Sequence, residues 1–233
     1  MGRHAAEACH GAGVETCVSE VKDLRARVEK LENGANTSNL ENTIESLKAE
    51  LNERDQELLL NDVEFTCIPE NKGEGLQHVV MSLASKIGVK LRSEDVVCAA
   101  RVGRPPEAGT GIAGVRPRPI VVRLVRRALR DDLLRAARVR RTVTTEGVDL
   151  HGPPNRFYIN ERLTRANRVL FRQAREVAGR LGWRFVWTRD GKIFARQRLE
   201  QDAPRHRLRS QADLARVFGP SAVGSHGIAP AFK

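Results

Sequence analysis

The charge of this chain is divided between two regions. Residues 1–64 contain 7 Lys and Arg against 14 Asp and Glu, a net charge of −7. Residues 65–233 contain 33 against 15, a net charge of +18. The acidic region carries apolar residues at heptad spacing, whereas the basic region has strand and helix patterns and most of the Gly and Pro. This division predicts a helical oligomerisation segment joined to a positively charged globular part. Such a surface attracts polyanions, because each neutralised phosphate releases condensed counterions.

The heptad pattern of the acidic region consists of two short runs. Their apolar residues alternate at three- and four-residue spacing, as in a coiled-coil seam, and a Gly- and Asn-containing segment near 33–39 separates them. We predict disorder over 1–17 and a self-associating helix over 18–60, as a dimer or a trimer. The alternative is an amphipathic helix that packs on the globular part of its own chain. The predicted oligomerisation residues are Val21, Leu24, Val28, Leu31, Leu40, Ile44, Leu47, Leu51 and Leu58.

The basic region predicts an α+β fold in two parts. Strand and helix patterns follow in the order βαββαβ over 61–160, which predicts a ferredoxin-like (RRM-like) sandwich. A helical pattern and a hairpin around Asp190-Gly191 then predict a small, basic helix-plus-hairpin domain over 161–219. Residues 220–233 are predicted to be a tail. The predicted strands are 63–68, 96–102, 120–125, 157–160, 183–188 and 192–196, and the predicted helices are 74–87, 127–140, 164–181 and 211–218.

Arginine clusters give the candidate binding residues. Two predicted helices carry arginines on the face opposite their apolar stripe, and a third group brackets the Gly- and Pro-rich segment 103–117. An ordinary solvated face would mix Glu with Lys, whereas guanidinium groups bind phosphate with two parallel hydrogen bonds. We expect the two helices to lie side by side on one surface. The candidate residues are Arg101, Arg104, Arg118, Arg123, Arg127, Arg130, Arg135, Arg138, Arg141, Arg165, Arg168, Arg172 and Arg175.

Aromatic residues are scarce, at 4% of the chain. A typical RNA-recognition motif has exposed aromatic side chains on its two central strands. The corresponding strand positions here hold Val122, Leu124 and Ala99. The strand residues Trp183, Phe185 and Trp187 alternate along the chain, so we expect them to share one side, mostly in the core. The sequence therefore predicts binding to the nucleic-acid backbone without reading of the base sequence.

The sequence lacks the motifs that would indicate an enzyme, a metal site or a membrane protein. The sequence has no phosphate-cradling Gly-rich loop, HExxH motif or nucleophile elbow, so we predict no catalysis and no cofactor. Cys9, Cys17, Cys67 and Cys98 show no CxxC spacing, which predicts free thiols and no metal site. Because there is no bilayer-length apolar run and no signal-like start, we expect no membrane partner and an intracellular location, in a cytoplasmic ribonucleoprotein or the nucleus.

Several segments resemble a known group of proteins. One set resembles the RNA-binding region of first-open-reading-frame proteins of non-LTR retrotransposons, and it comprises 61–65, 68–70, 118–124 and 133–138. A second set resembles the C-terminal part of the baculovirus few-polyhedra (FP) protein and its insect-genome relatives, and it comprises 158–164 and 187–196. The resemblance covers about 40–200 and includes the order of coil, sandwich and small basic domain.

This resemblance has implications for function. It implies a coiled-coil oligomer, often trimeric, that coats single-stranded RNA and acts as a nucleic-acid chaperone. It also implies backbone contacts from Arg135 and Arg138 in the sandwich and from Arg165, Arg168 and Arg172 in the C-terminal part. The expected partner is single-stranded RNA or DNA. The rival interpretation is a structural adaptor whose basic surface docks acidic proteins.

Overall fold

The acidic region forms two helices. In the computed structural model, α1 spans His4–Glu32 and α2 spans Ala35–Leu58. The structure describes residues 4–32, 35–71, 73–104, 117–148, 150, 153–198 and 204–219, so the predicted tail at 220–233 and most of the segment 103–117 lie outside the described residues.

These helices begin earlier than the sequence predicted. Residues 4–17, where we predicted disorder, belong to α1. Ala5, Ala6, Glu7 and Ala8 are strong helix formers, and they extend the helix to its observed start. The predicted break near 33–39 is shorter than expected, because α2 begins at Ala35 and only residues 33 and 34 lie outside the described helices. Asn, Thr and Ser are well tolerated in a first helical turn, where they satisfy free backbone N–H groups.

The predicted oligomerisation residues form an exposed apolar stripe. The exposed fraction of these nine side chains runs from 46% for Val21 to 73% for Leu58. A single helix in water gains little from helix propensity alone and depends on burial of its apolar face. This stripe therefore remains available for burial.

A four-stranded antiparallel sheet follows. Its strands are β1 (Asp62–Thr66), β2 (Val96–Arg101), β3 (Ile120–Leu124) and β4 (Tyr158–Glu161), in the order β2-β3-β1-β4. Helix α3 (Leu76–Lys86) lies between β1 and β2 in sequence, and α4 (Arg127–Val139) lies between β3 and β4. A short 3₁₀ turn, Ser93–Asp95, precedes β2. Strands β2 and β4 are therefore the two edges of this sheet.

Strand alternation decides which side chains enter the core. Helices α3 and α4 pack on one face of the sheet, and the fully buried residues there are Val63, Phe65, Val80, Leu83, Ile120, Val122, Leu124 and Leu133. Because neighbouring strand residues point to opposite faces, Glu64, Arg123 and Tyr158 point away from these helices. Charged side chains on this second face thus cannot share a surface with those on α4.

The C-terminal part forms a smaller sheet with its own core. Helix α5 (Arg165–Arg180) leads into β5 (Phe185–Arg189), β6 (Lys192–Arg196), β7 (His206–Leu208) and α6 (Gln211–Phe218). The sheet order is β5-β6-β7, with antiparallel pairs. Strand β7 was not predicted, because three residues are too few to show alternation. The described chain is thus mixed α+β with six helices and two antiparallel sheets, which confirms the predicted class.

The two sheets belong to one compact unit. The chain divides into two compact units, Met1–Leu51 and Asn52–Lys233. The turn Asp190-Gly191 docks on β4, where the Glu161 carboxylate accepts the Asp190 and Gly191 N–H groups at 3.2 and 2.9 Å. From α2, the Gln56 side chain donates to the Arg162 carbonyl and accepts from the Thr164 N–H, both at 3.0 Å. These contacts tie the end of α2 and the second sheet to the first.

We expect Gly191→Ala to destabilise the protein more than Gly182→Ala. Both glycines have φ near +70°, at +71° and +69°, where a Cβ costs roughly 1–2 kcal/mol. A Cβ at Gly182 would meet nothing within 4 Å, whereas at Gly191 it would lie 2.5 Å from the Gln56 Cγ. Moving Gln56 would break its two backbone hydrogen bonds. Gly191→Ala should therefore lower the free energy of unfolding by about 1 kcal/mol or more beyond the effect of Gly182→Ala. Thermal unfolding of both variants measures this difference, and equal melting temperatures would contradict the docking account.

Candidate nucleic-acid interface

Three of the candidate arginines, on or beside strands β2 and β3, bind carboxylates of the same chain, and Arg123 among them keeps 46% of its side chain exposed. The Arg101 guanidinium, with its side chain 5% exposed, donates to both Glu74 oxygens at 2.8 and 2.9 Å. Arg118 binds Glu70 at 2.8 Å, and Arg123 binds Asp62 at 2.8 Å. That these three residues bind nucleic acid stays a prediction; what the sequence did not predict is their carboxylate partners, which are distant in sequence. Arg104 also has a partner within the chain.

The pKa shifts of Glu70, Arg118 and Arg123 follow from these contacts. Burial alone would raise the pKa of Glu70, but hydrogen bonds and charge from Arg118 bring its pKa below the ordinary value of 4.5. The same contact raises the pKa of Arg118, and the hydrogen bond to Asp62 raises the pKa of Arg123. A phosphate that binds Arg118 or Arg123 would have to displace the carboxylate of Glu70 or Asp62.

The arginines in the N-terminal half of α4 also have carboxylate partners. The Arg130 side chain, 3% exposed, lies 3.3 Å from the equally buried Glu161, 2.7 Å from Asp131 and 3.3 Å from Asp190. Arg127 binds Asp190 at 2.8 Å. Burial alone would raise the pKa of Asp190, and the hydrogen bonds and charges of Arg127 and Arg130 instead lower it. Arg130 is thus a structural residue, whereas Arg127 pairs with Asp190 but keeps 46% of its side chain exposed.

The C-terminal half of α4 remains open to solvent. Arg138 is 62% exposed, with Glu161 at the outer limit of ion pairing, 3.9 Å away. Arg141 is exposed, and its Nε donates to the Arg138 carbonyl at 3.1 Å. Arg135 is exposed and pairs with Asp132 in the preceding turn at 2.9 Å. An exposed pair of this kind contributes little to stability, so Arg135 can exchange its partner for a phosphate.

The arginine stripe of α5 is mostly exposed. Arg165, Arg172 and Arg175 are exposed, and the Arg175 guanidinium lies over the Phe171 ring at 5.8 Å. Arg168 is also exposed, at 52% of its side chain, and it binds Glu64 at 2.8 Å. The helix begins with Thr164, whose side-chain oxygen accepts the Asn167 N–H.

The two arginine helices do not lie side by side. Helix α4 packs on one face of the four-stranded sheet, whereas Arg168 of α5 reaches Glu64 on the opposite face. The expectation of one shared surface is therefore wrong. Sequence periodicity shows which residues share a face of one helix, but only the strand register shows which side of a sheet that helix occupies.

A groove at the edge strand β4 brings together arginines from separate parts of the chain. It has a volume of about 320 Å³ and lies between the end of α4 and β4. Its cationic side chains are Arg138, Arg140, Arg141 and Arg156, and no carboxylate of the described residues lines it. Tyr158, which is 49% exposed, is also among the lining residues. Because β4 is an edge strand, unpaired backbone groups lie beside these guanidinium groups.

Sequence reasoning missed two of the groove residues. Arg140 follows the end of α4 and donates to the Ile87 carbonyl, while Arg156 stands two residues before β4. The density of arginines in Arg138-Val139-Arg140-Arg141 could have indicated Arg140. It was left out because only residues on one helix face were selected. Nothing in the sequence placed Arg156 beside α4, since 14 residues separate it from Arg141.

The second face of the sheet connects β4 to α5. Asn160 of β4 pairs with Glu64 of β1 in the backbone register. Glu64 is in turn bound by Arg168, the second arginine of the α5 stripe.

Comparison with known proteins supports part of the resemblance. Residues 164–218 match the family model described as Baculovirus FP protein domain 2. This segment runs from the start of α5 to the end of α6, and the match confirms the FP part of the predicted resemblance. None of the curated proteins compared with the chain is significantly similar to it. The resemblance to retrotransposon proteins stays a prediction.

Two further observations concern other site types. Within the described ranges, every helix is too short or too polar to cross a bilayer. The part of the chain that the structure describes has no cluster of three or more His, Cys, Asp or Glu side chains suited to a metal ion. The free cysteines there are Cys17, Cys67 and Cys98, and the side chain of Cys9 lies outside the described residues.

Proposed function

We propose that this protein binds single-stranded RNA or DNA through the β4-edge groove, without catalysis, and acts as a homo-oligomer. The observation that supports this most is the composition of the groove: four arginines line a space of about 320 Å³, and no carboxylate of the described residues lines it. Elsewhere Arg101 and Arg130 are buried against carboxylates. A groove lined by cations favours an anionic ligand, and guanidinium groups suit phosphate by geometry as well as charge.

The ferredoxin-like (RRM-like) assignment is part of this proposal. The strand order β2-β3-β1-β4, with α3 and α4 together on one face, supports it. The second face of that sheet carries the ion pairs Asp62–Arg123 and Glu64–Arg168 where an RNA-recognition motif would stack bases. We therefore propose that this sheet contributes its edge and its arginines, and that its contacts are with phosphates.

Oligomerisation would multiply the binding sites. The apolar stripe of α1 and α2 keeps coiled-coil spacing and is exposed along its length, so a second copy of the chain is the proposed occupant. Two linked copies hold a long polymer more tightly than one, because the second contact is intramolecular. The retrotransposon resemblance implies the same combination of coil and single-strand binding, as a dimer or a trimer. The FP resemblance extends over α5 and α6.

We expect the double variant Arg141→Ala, Arg156→Ala to weaken binding to unrelated single strands by the same factor, about tenfold at low salt. Each lost phosphate contact should also reduce the slope of log affinity against log salt by about 0.7, so the slope should fall by about 1.4. Neither guanidinium binds a carboxylate in the fold, so stability should be retained. Fluorescence anisotropy with labelled oligonucleotides at several salt concentrations measures both quantities.

A matched variant controls for net charge. Lys22→Ala with Lys90→Ala removes two exposed cations that do not line the groove. Its salt slope should remain close to wild type. If both variants lost affinity by the same factor, the result would contradict a binding site localised in the groove. If the wild-type protein had no affinity for single strands at about 150 mM salt but bound acidic proteins, the adaptor interpretation would replace this one.

We expect Leu24→Glu with Leu47→Glu to convert the oligomer to a monomer, because buried carboxylates in a coiled-coil seam are unpaired. The control is Ala26→Glu with Ala49→Glu, which adds the same charges on the helix side opposite the seam. Light scattering coupled to size-exclusion chromatography gives the mass of each variant. A wild-type monomer, or a seam variant of unchanged mass, would refute the proposed self-association.

A further inference from the structure

The open face of the small sheet carries paired aromatic and cationic side chains. Cross-strand pairing between β5 and β6 aligns Phe185 with Arg196, Trp187 with Phe194, and Arg189 with Lys192. The alternate residues of β6, Ile193 and Ala195, are buried against the helices. The three aligned pairs therefore point to the side of the sheet away from α5 and α6.

The Trp187 and Phe194 rings are separate from the core of this part of the chain. Neither is among the residues that form or pack against the apolar cluster of α5, β6 and α6. They stack on each other instead, with ring centroids 5.7 Å apart and ring planes 21° from parallel. Trp183 differs, because it precedes β5 and packs against Phe218 at 4.6 Å. The expectation that Trp183, Phe185 and Trp187 share one side is thus corrected: β5 begins after Trp183.

Cations surround this aromatic pair. Arg189, Lys192 and Arg205 line a cavity of about 300 Å³ together with Trp187 and Phe194. Asp190 also lines it; its carboxylate is bound by Arg127 and Arg130 from α4 and lies 3.9 Å from the Arg189 Nε, at the outer limit of ion pairing. On the same face, the Arg196 guanidinium lies 5.2 Å from the Phe185 ring centroid, and its Nε is buried with no acceptor among the described residues. The stacked rings beside these cations make this face chemically distinct from the β4-edge groove.

We propose that this face binds unpaired nucleobases, with a base stacked on the Trp187–Phe194 pair and the flanking phosphates held by Arg189, Lys192 and Arg205. This inference rests on the proposed function, and it adds a second site that discriminates single strands from duplexes. Bases in a duplex are already stacked on their neighbours, so their faces are inaccessible to a protein ring. Stacking on aromatic side chains is tolerant of sequence, because every base has a planar face.

The chemistry of the face favours a nucleic acid over an acidic peptide. A cationic patch alone would serve either ligand, since carboxylates and phosphates both pair with guanidinium groups. A solvent-accessible pair of stacked rings gains nothing from a carboxylate, whereas it gains stacking energy from a base. The cavity, at about 300 Å³, lies at the lower end of the usual range for small-ligand sites, which suits a single base.

The test compares strands with and without bases on the full-length chain. The ligands are a labelled oligonucleotide of roughly 12 nucleotides and an abasic strand of equal length, which has the phosphates only. We expect Trp187→Leu to reduce affinity for the base-containing strand about tenfold, and to leave affinity for the abasic strand unchanged. Trp187→Phe keeps a ring and should retain most of the affinity. Thermal unfolding verifies that both variants remain folded.

Fluorescence gives an independent readout. The chain has two Trp residues, so Trp183→Phe leaves Trp187 as the sole indole fluorophore. Its emission should be quenched by the base-containing strand and unaffected by the abasic strand.

The outcomes separate this inference from the groove. If the wild type binds base-containing and abasic strands equally, and Trp187→Leu changes neither, the base site is refuted while groove binding stands. If the wild type binds no strand, the proposed function fails and this inference fails with it. If Trp187→Leu lowered the affinity for both strands by the same factor, Trp187 would contribute to phosphate binding alone. This result would also overturn the stacking site.

Discussion

The arrangement of the larger unit depends on a buried ionic junction between Arg130 and Glu161. Both side chains are only 3% exposed, and they meet at 3.3 Å. Desolvating two charges is expensive, and the cost is offset here because Glu161 also accepts two backbone N–H groups from the Asp190-Gly191 turn. Removing one partner would leave a buried charge unpaired, at a cost of about 3–5 kcal/mol. The junction thus fixes the small sheet against α4 and β4.

This junction also determines which arginines are available to a ligand. By placing Asp190 against the start of α4, it buries Arg130 and pairs with Arg127, while the far end of the same helix stays exposed at Arg138. Carboxylates on strands and loops bind other arginines, as Glu64 does for Arg168. The positive charge of the basic region is therefore unevenly compensated. Arginines and lysines with few carboxylates beside them gather at the β4 edge and on the open face of the small sheet.

Sequence patterns predicted the elements well and their contacts poorly, for physical reasons. Helices such as α5 and strands such as β3 were predicted to within one residue of their ends, because apolar periodicity is a local property. The pairing of Arg130 with Glu161 and the meeting of Arg156 with α4 depend on tertiary packing, which no local pattern encodes. The low aromatic content correctly indicated that the central strands of the first sheet lack exposed rings. It did not indicate that the few aromatic residues meet on the second sheet, where β5 and β6 pair Trp187 with Phe194.

The most direct test of the account is to observe individual guanidinium groups during titration with a single-stranded oligonucleotide. Arginine Nε–H resonances report binding residue by residue on the intact chain. The account predicts that Arg138, Arg141 and Arg156 shift with a common saturation curve, while the buried Arg101 and Arg130 do not. Uniform small shifts of all exposed arginines, including Arg92 beside the opposite edge strand, would contradict a defined interface and leave only diffuse charge attraction.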